Sequence, residues 1–131
     1  MSNTAQIVCN RIRTPDGTIL QSHHRHDYVT YTDYNELEYM VDGGHDYLRR
    51  TVHNDEPYVE MSLTMDDPFE DIRRGFTWGT RGKDGKQPLT WVPLCQLATE
   101  HIIAILETQE LADYVTELME KELEYRIECD V

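Results

Sequence analysis

Residues 28–44 read Tyr28-Val29-Thr30-Tyr31-Thr32-Asp33-Tyr34-Asn35-Glu36-Leu37-Glu38-Tyr39-Met40-Val41-Asp42-Gly43-Gly44. Aromatic and β-branched residues fill 28–32, which favours an extended strand. Asp33 to Glu36 supplies turn chemistry, Leu37 to Val41 forms the returning strand, and Asp42-Gly43-Gly44 breaks it. The pair of glycines can take positive φ or let a neighbouring backbone come close. A strand–turn–strand unit at this place makes the first half of the chain β.

The flanks extend the pattern. Ile7 to Arg13 reads as a strand that ends at the turn Thr14-Pro15-Asp16-Gly17, and Thr18 to Ser22 returns. His45 to Arg50 is short and able to pair again. Tyr58 to Met65 alternates polar and apolar residues with a period of two, and is expected to be one strand. Asp67 and Pro68 suit the N-cap and first position of a short helix over Phe69–Arg74, closed by Gly75. Its acids come early and its arginines late, as the helix dipole prefers. Phe76 to Arg81 and Pro88 to Leu94 read as a hairpin with a Gly/Lys tip that includes Lys83 and Lys86.

The end of the chain is helical. Ile102, Ile103, Ile105 and Leu106 follow Thr99, the expected N-cap. Glu110 to Ile127 places Leu111, Tyr114, Val115, Leu118, Met119, Leu123 and Arg126 on one face, with Glu and Asp opposite. The expected fold class is therefore α+β. An antiparallel β-rich layer with hairpins (1–94) precedes two α-helices (97–128), and residues 1–131 form a single domain.

Composition narrows the function. The 131 residues hold 25 acids and 12 bases, a formal charge of −13. Residues 97–131 carry ten acids and two bases, so the surplus is densest at the end. That balance disfavours binding to duplex nucleic acid through its phosphates. No apolar run approaches the roughly 20 residues needed to span a bilayer, and no secretory pattern opens the chain. Cys9, Cys95 and Cys129 are odd in number and far apart, which fits a reducing compartment better than a disulfide framework.

Against this acidity, Ser22-His23-His24-Arg25-His26 and the pairs Arg49-Arg50 and Arg73-Arg74 stand out. A basic cluster in an acidic chain is a candidate anion pocket. His24, Arg25, His26, Arg49, Arg73, Arg74 and Arg81 are the expected ligand contacts. Phe76 and Trp78 share one strand face and could stack a base. A competing reading has these cations pairing with nearby carboxylates. Zinc could use His23, His24, His26, Cys9 and His45, but no Cys-x-x-Cys or His-x₃-His spacing occurs, so no metal is expected. Gly79 to Lys86 is glycine-rich and basic, yet lacks the ending of a P-loop. Ser22 beside His23 is adjacency rather than a triad, and no nucleophile elbow occurs. The expectation is a binding protein without cofactor, not an enzyme.

His24-Arg25-His26-Asp27-Tyr28-Val29 and Val41-Asp42-Gly43-Gly44-His45-Asp46-Tyr47-Leu48-Arg49-Arg50 resemble a signature of small tailed-phage accessory proteins. The run Trp78 to Leu89 (WGTRGKDGKQPL), His101 to Gln109 and Glu122 to Arg126 are similar to the same group. Some short relatives of that pattern look like zinc ribbons. Their cysteine pairs correspond to Arg13–Gly17 and Thr32–Leu37, which hold no ligands, so metal is not implied. In size and element order the chain is also similar to the Thoeris anti-defence sponge proteins. These resemblances imply a protein in the cytoplasm of an infected bacterium. It would sequester a small nucleotide of the cyclic ADP-ribose type without cleaving it. A domain this small encloses little of such a ligand alone, so a homo-oligomer formed through Leu111, Val115, Leu118 and Leu123 is expected. The alternative is an acidic protein-interaction module, or nucleic-acid mimic, that inhibits a host factor.

Overall fold

The computed structural model describes residues 5–53, 55–82 and 84–129. The fold class is α+β, with antiparallel strands followed by helices. The chain forms two compact units, Met1–Pro68 and Phe69–Val131. The division falls between Pro68 and Phe69, so the second hairpin groups with the helices and not with a β-rich layer running to residue 94.

In the first unit, β1 (Ile7–Arg13) pairs antiparallel with β2 (Ile19–Ser22), with Ile12 opposite Leu20. The opposite edge of β1 carries two short strands, β6 (Val59–Glu60) and β7 (Leu63–Thr64). A second sheet runs β3 (Val29–Thr32), β4 (Glu38–Asp42), β5 (Arg49–Thr51). Its register sets Val29 and Arg50 against Val41, and Tyr31 against Tyr39. Ile12, Leu20, Tyr39 and Val41 form a buried cluster, flanked by Val29, Tyr31, Leu37, Val52 and Tyr58. Alternate residues of β3 (Val29, Tyr31) and β4 (Tyr39, Val41) thus supply this core, joined by Ile12 of β1 and Leu20 of β2.

Two strand expectations change. The single strand over 58–65 is divided at Met61-Ser62. There the Ser62 hydroxyl accepts the Arg11 N–H at 3.0 Å, so a side chain takes the place of a backbone group in the ladder. A separate register shift lies further along β1, between Ile7 and Cys9, where β7 pairs with it. The expected strand over 45–50 begins only at Arg49. Gly43 and Gly44 both have positive φ, +101° and +52°, and they curl the chain so that the Asp46 N–H reaches the Gly43 carbonyl at 2.9 Å.

In the second unit, α1 (Phe69–Gly75) leads into β8 (Thr77–Thr80), which pairs with β9 (Thr90–Pro93). α1 opens one residue after Pro68, and the Asp67 carboxylate accepts the Thr64 N–H at 2.8 Å. The hairpin arms match the expected pair. Of its tip, Lys83 lies outside the described residues. A 3₁₀ turn at Leu94–Gln96 leads to α2 (Thr99–Thr108) and α3 (Asp113–Cys129).

Thr99 is not the N-cap of α2. Ala98 holds that position without a side-chain hydrogen bond, and the Thr99 hydroxyl accepts from Arg126 Nη1 at 2.8 Å. α3 opens at Asp113 rather than Glu110. Ile72, Phe76, Leu94, Leu97, Ile102, Ile105, Val115, Leu118 and Met119 are the buried apolar residues of this unit.

Candidate functional site

The nine residues singled out from the sequence divide between the units, and each group is described within its own.

In the first unit, residues 23–28 and 43–48 form two adjoining loops. The buried Ser22 hydroxyl joins them, accepting the Gly44 N–H at 2.9 Å and donating to the Asp27 carbonyl at 2.6 Å. The Asp27 carboxylate accepts the His23 N–H at 2.8 Å, which closes the first loop. At Gly44 a β-carbon would lie 2.3 Å from the His24 carbonyl carbon, so only glycine permits this approach.

The loop pair brings His24, Arg25 and His26 onto one exposed turn, and Arg49 opens β5 just after the second loop. Arg25 Nε lies 3.4 Å from Asp46 Oδ2, and Arg49 Nη1 lies 3.9 Å from Asp42 Oδ2. The two guanidinium groups remain about two-thirds exposed. The Arg25–Asp46 pair, exposed on both sides, contributes about 0–1 kcal/mol, so an incoming anion can compete for Arg25; Arg49 stands a looser 3.9 Å from the largely buried Asp42 carboxylate. His23 and His45 are more enclosed. Burial lowers the His23 imidazole below its usual range, and burial followed by the repulsion of His23 lowers His45 to about 4. Arg25 and Arg49 carry fixed positive charge at neutral pH.

Tyr28, Tyr47 and Leu48 are exposed beside these cations. Sequence patterning absorbs both tyrosines as strand formers. The signal that distinguishes them is their place after an aspartate in matching runs, Asp27-Tyr28 and Asp46-Tyr47.

In the second unit the expected contacts fare differently. Arg73 is committed to a buried ion pair. Its Nε and Nη2 donate to Glu122 Oε1 and Oε2 at 2.8 and 2.7 Å, and its guanidinium lies 4.1 Å from the Tyr125 ring centroid. Glu122 is fully buried and also accepts from Arg126 Nε at 2.7 Å. The carboxylate holds the Arg73 proton more firmly than usual, and the bidentate geometry leaves no free fork for a phosphate. Phe76 is only 2% exposed and belongs to the core, so it offers no face for stacking. Val115 and Leu118, expected at a subunit contact, are likewise buried within this unit.

Arg74 is exposed and lies 3.8 Å from Glu70. Trp78 is half-buried on β8, and Arg81 is exposed beyond the end of that strand. Near Arg81 the structure opens a cavity of about 590 Å³; Thr80 and Gly82 of the glycine-rich run line it, with residues between 92 and 104 that the sequence does not mark. Among the described residues, no three His, Cys, Asp or Glu side chains gather in a way that could hold a metal ion. Among the same residues, no helix is long and apolar enough to cross a membrane. The chain matches no family model, no curated protein and no solved structure.

Proposed function

We propose that this is a non-catalytic binding protein that sequesters a small anionic nucleotide, of the cyclic ADP-ribose type, in the cytoplasm of a phage-infected bacterium. The observation that carries the reading is the loop pair. Two exposed guanidinium groups, Arg25 and Arg49, stand in one unit with the exposed rings of Tyr28 and Tyr47. Arginine suits phosphate oxygens through charge-assisted bonds, and a tyrosine ring suits a base through stacking. The resemblance to phage accessory proteins supports the biological setting. Binding without turnover leaves the ligand intact, because the interaction energy goes to the ground state. The reading includes a homo-oligomer. Since Val115 and Leu118 serve the core, its contacts would draw on exposed apolar residues such as Ile103 and Ile127.

The test is a thermal-shift series over cyclic nucleotides and ADP-ribose isomers, followed by recovery of the bound molecule. A ligand above its dissociation constant raises stability by mass action. Replacing Arg25 or Arg49 by Ala should weaken binding about tenfold, the value of one charge-assisted hydrogen bond. Lack of stabilisation by every compound removes this reading, and recovery of a cleaved product makes the protein an enzyme.

A second reading rests on a different observation. Asp113, Glu117, Glu120, Glu124 and Glu128 are all exposed on α3, where Lys121 is the one exposed base. Such a face suits a basic groove on a host protein. This acidic interaction module would show no nucleotide shift, and its affinity would fall steeply with salt.

A further inference from the structure

The cavity of the second unit lies between the β8–β9 hairpin and the first half of α2. Thr80, Gly82 and Val92 line it from the hairpin side, and Gln96, Leu97, Ala98, Glu100, His101 and Ala104 from the other. Its volume, about 590 Å³, falls within the roughly 300–1,000 Å³ of sites that hold small organic molecules. The walls are apolar and low. Val92 and Leu97 give branched surfaces, while Gly82, Ala98 and Ala104 add almost no side-chain relief. That combination fits a flat ring.

The polar groups define the rest of the ligand. Glu100 contributes a carboxylate, which only accepts hydrogen bonds when ionised. Gln96 contributes an amide that both donates and accepts, Thr80 a hydroxyl and His101 an imidazole. Among the described residues no Lys or Arg lines the cavity, and the Glu100 carboxylate there disfavours a phosphate. Gln96, Ala98, Glu100 and Ala104 are exposed at its rim, so one side is open and a hydrophilic substituent can project into water.

We propose that this cavity is a binding site for an uncharged, amino-bearing planar heterocycle of nucleobase size, such as an aminopurine nucleoside. The ring lies between the Val92/Leu97 and Ala98/Ala104 surfaces, and its exocyclic amine donates to the Glu100 carboxylate. The site lies wholly in the second unit and uses none of the loop-pair cations. It stands or falls separately from the function proposed above.

The experiment measures the affinities of adenosine and inosine for the full chain by equilibrium dialysis. The two nucleosides match in size and differ in the amine that Glu100 would accept from. Adenosine should bind at least tenfold more tightly than inosine. Ala104→Leu fills the cavity with a good helix former at an exposed position and should abolish adenosine binding while the thermal midpoint is kept. Glu100→Gln, also at an exposed position, should narrow the adenosine–inosine difference, because an amide can donate to the inosine carbonyl. Arg25→Ala and Arg49→Ala should leave adenosine binding unchanged. Equal affinity for the two nucleosides, or adenosine binding that survives Ala104→Leu, overturns the assignment. So does an absence of adenosine binding at millimolar concentration. Adenosine binding lost in Arg25→Ala but kept in Ala104→Leu would transfer the base to the loop pair.

Discussion

His45 sits where two loops meet, and burial makes its charged form costly there. The sign of its effect follows from proton linkage. A folded-state value of about 4 against an ordinary 6.5 means that the unfolded chain binds the proton more readily. The stability is complete above pH 6.5 and is lost progressively as pH falls toward 4. His23, shifted in the same direction, adds to it. Between pH 7 and pH 5 the fold should lose roughly 1–2 kcal/mol through His45. His45→Asn should flatten that dependence in urea titrations at the two pH values, and an unchanged slope would refute the assignment. Residues like this show what the sequence could tell. The His/Arg run and the Gly43-Gly44 break were legible, because both are local in the chain. The core place of Phe76 was not. A strand that alternates Phe76 and Trp78 shows that they share a face but not how far that face enters the interior. Arg73 was misread because its partner, Glu122, lies 49 residues away.

α3 owes its position to an acid set among apolar residues, at the same helical spacing as Val115, Leu118 and Met119. Glu122 reads as one more acid on an acidic helix, yet it is fully buried and bridges Arg73 of α1 to Arg126 of its own turn. Arg126 in turn donates from Nη2 to the Leu94 carbonyl at 3.2 Å and from Nη1 to Thr99. One carboxylate therefore ties together α1, the 3₁₀ turn, α2 and α3. Removing it leaves two guanidinium groups largely buried and uncompensated. Glu122→Ala should cost about 3–5 kcal/mol, the usual penalty for breaking a buried pair from one side. Glu120→Ala, on the exposed side of the same helix, should stay within about 0.5 kcal/mol. Equal effects of the two in denaturant unfolding would show that the network contributes nothing. The apolar stripe of α3 was legible from its spacing, whereas the ionic tie was not, because periodicity reports hydrophobicity and not pairing over distance.

At the scale of the whole molecule, charge works against the fold. With 25 acids and 12 bases, mean repulsion exceeds what scattered exposed pairs return. Raising NaCl from about 20 mM to about 500 mM shortens the screening length severalfold. The thermal midpoint should rise by a few degrees, and a fall would show that the exposed ion pairs matter more than the net charge. The first unit holds two sheets and the second a two-stranded one, each unit with its own buried residues. The α+β class was legible because hairpins and helices are local patterns, but the boundary at Pro68 was not, because a partition depends on which elements meet in space. The first strand has a consequence in time. β1 meets β2 across a five-residue turn, a closure completed in about 1–10 μs. Its other edge waits for residues near Ser62, 51 positions from Arg11, and the entropic cost of closure grows with the length of chain between them. During that interval the hydrogen-bonding groups of β1 face outward, open to any extended segment of another chain. Arg11 and Arg13 lie on this strand, and charged side chains on an open edge disfavour such pairing.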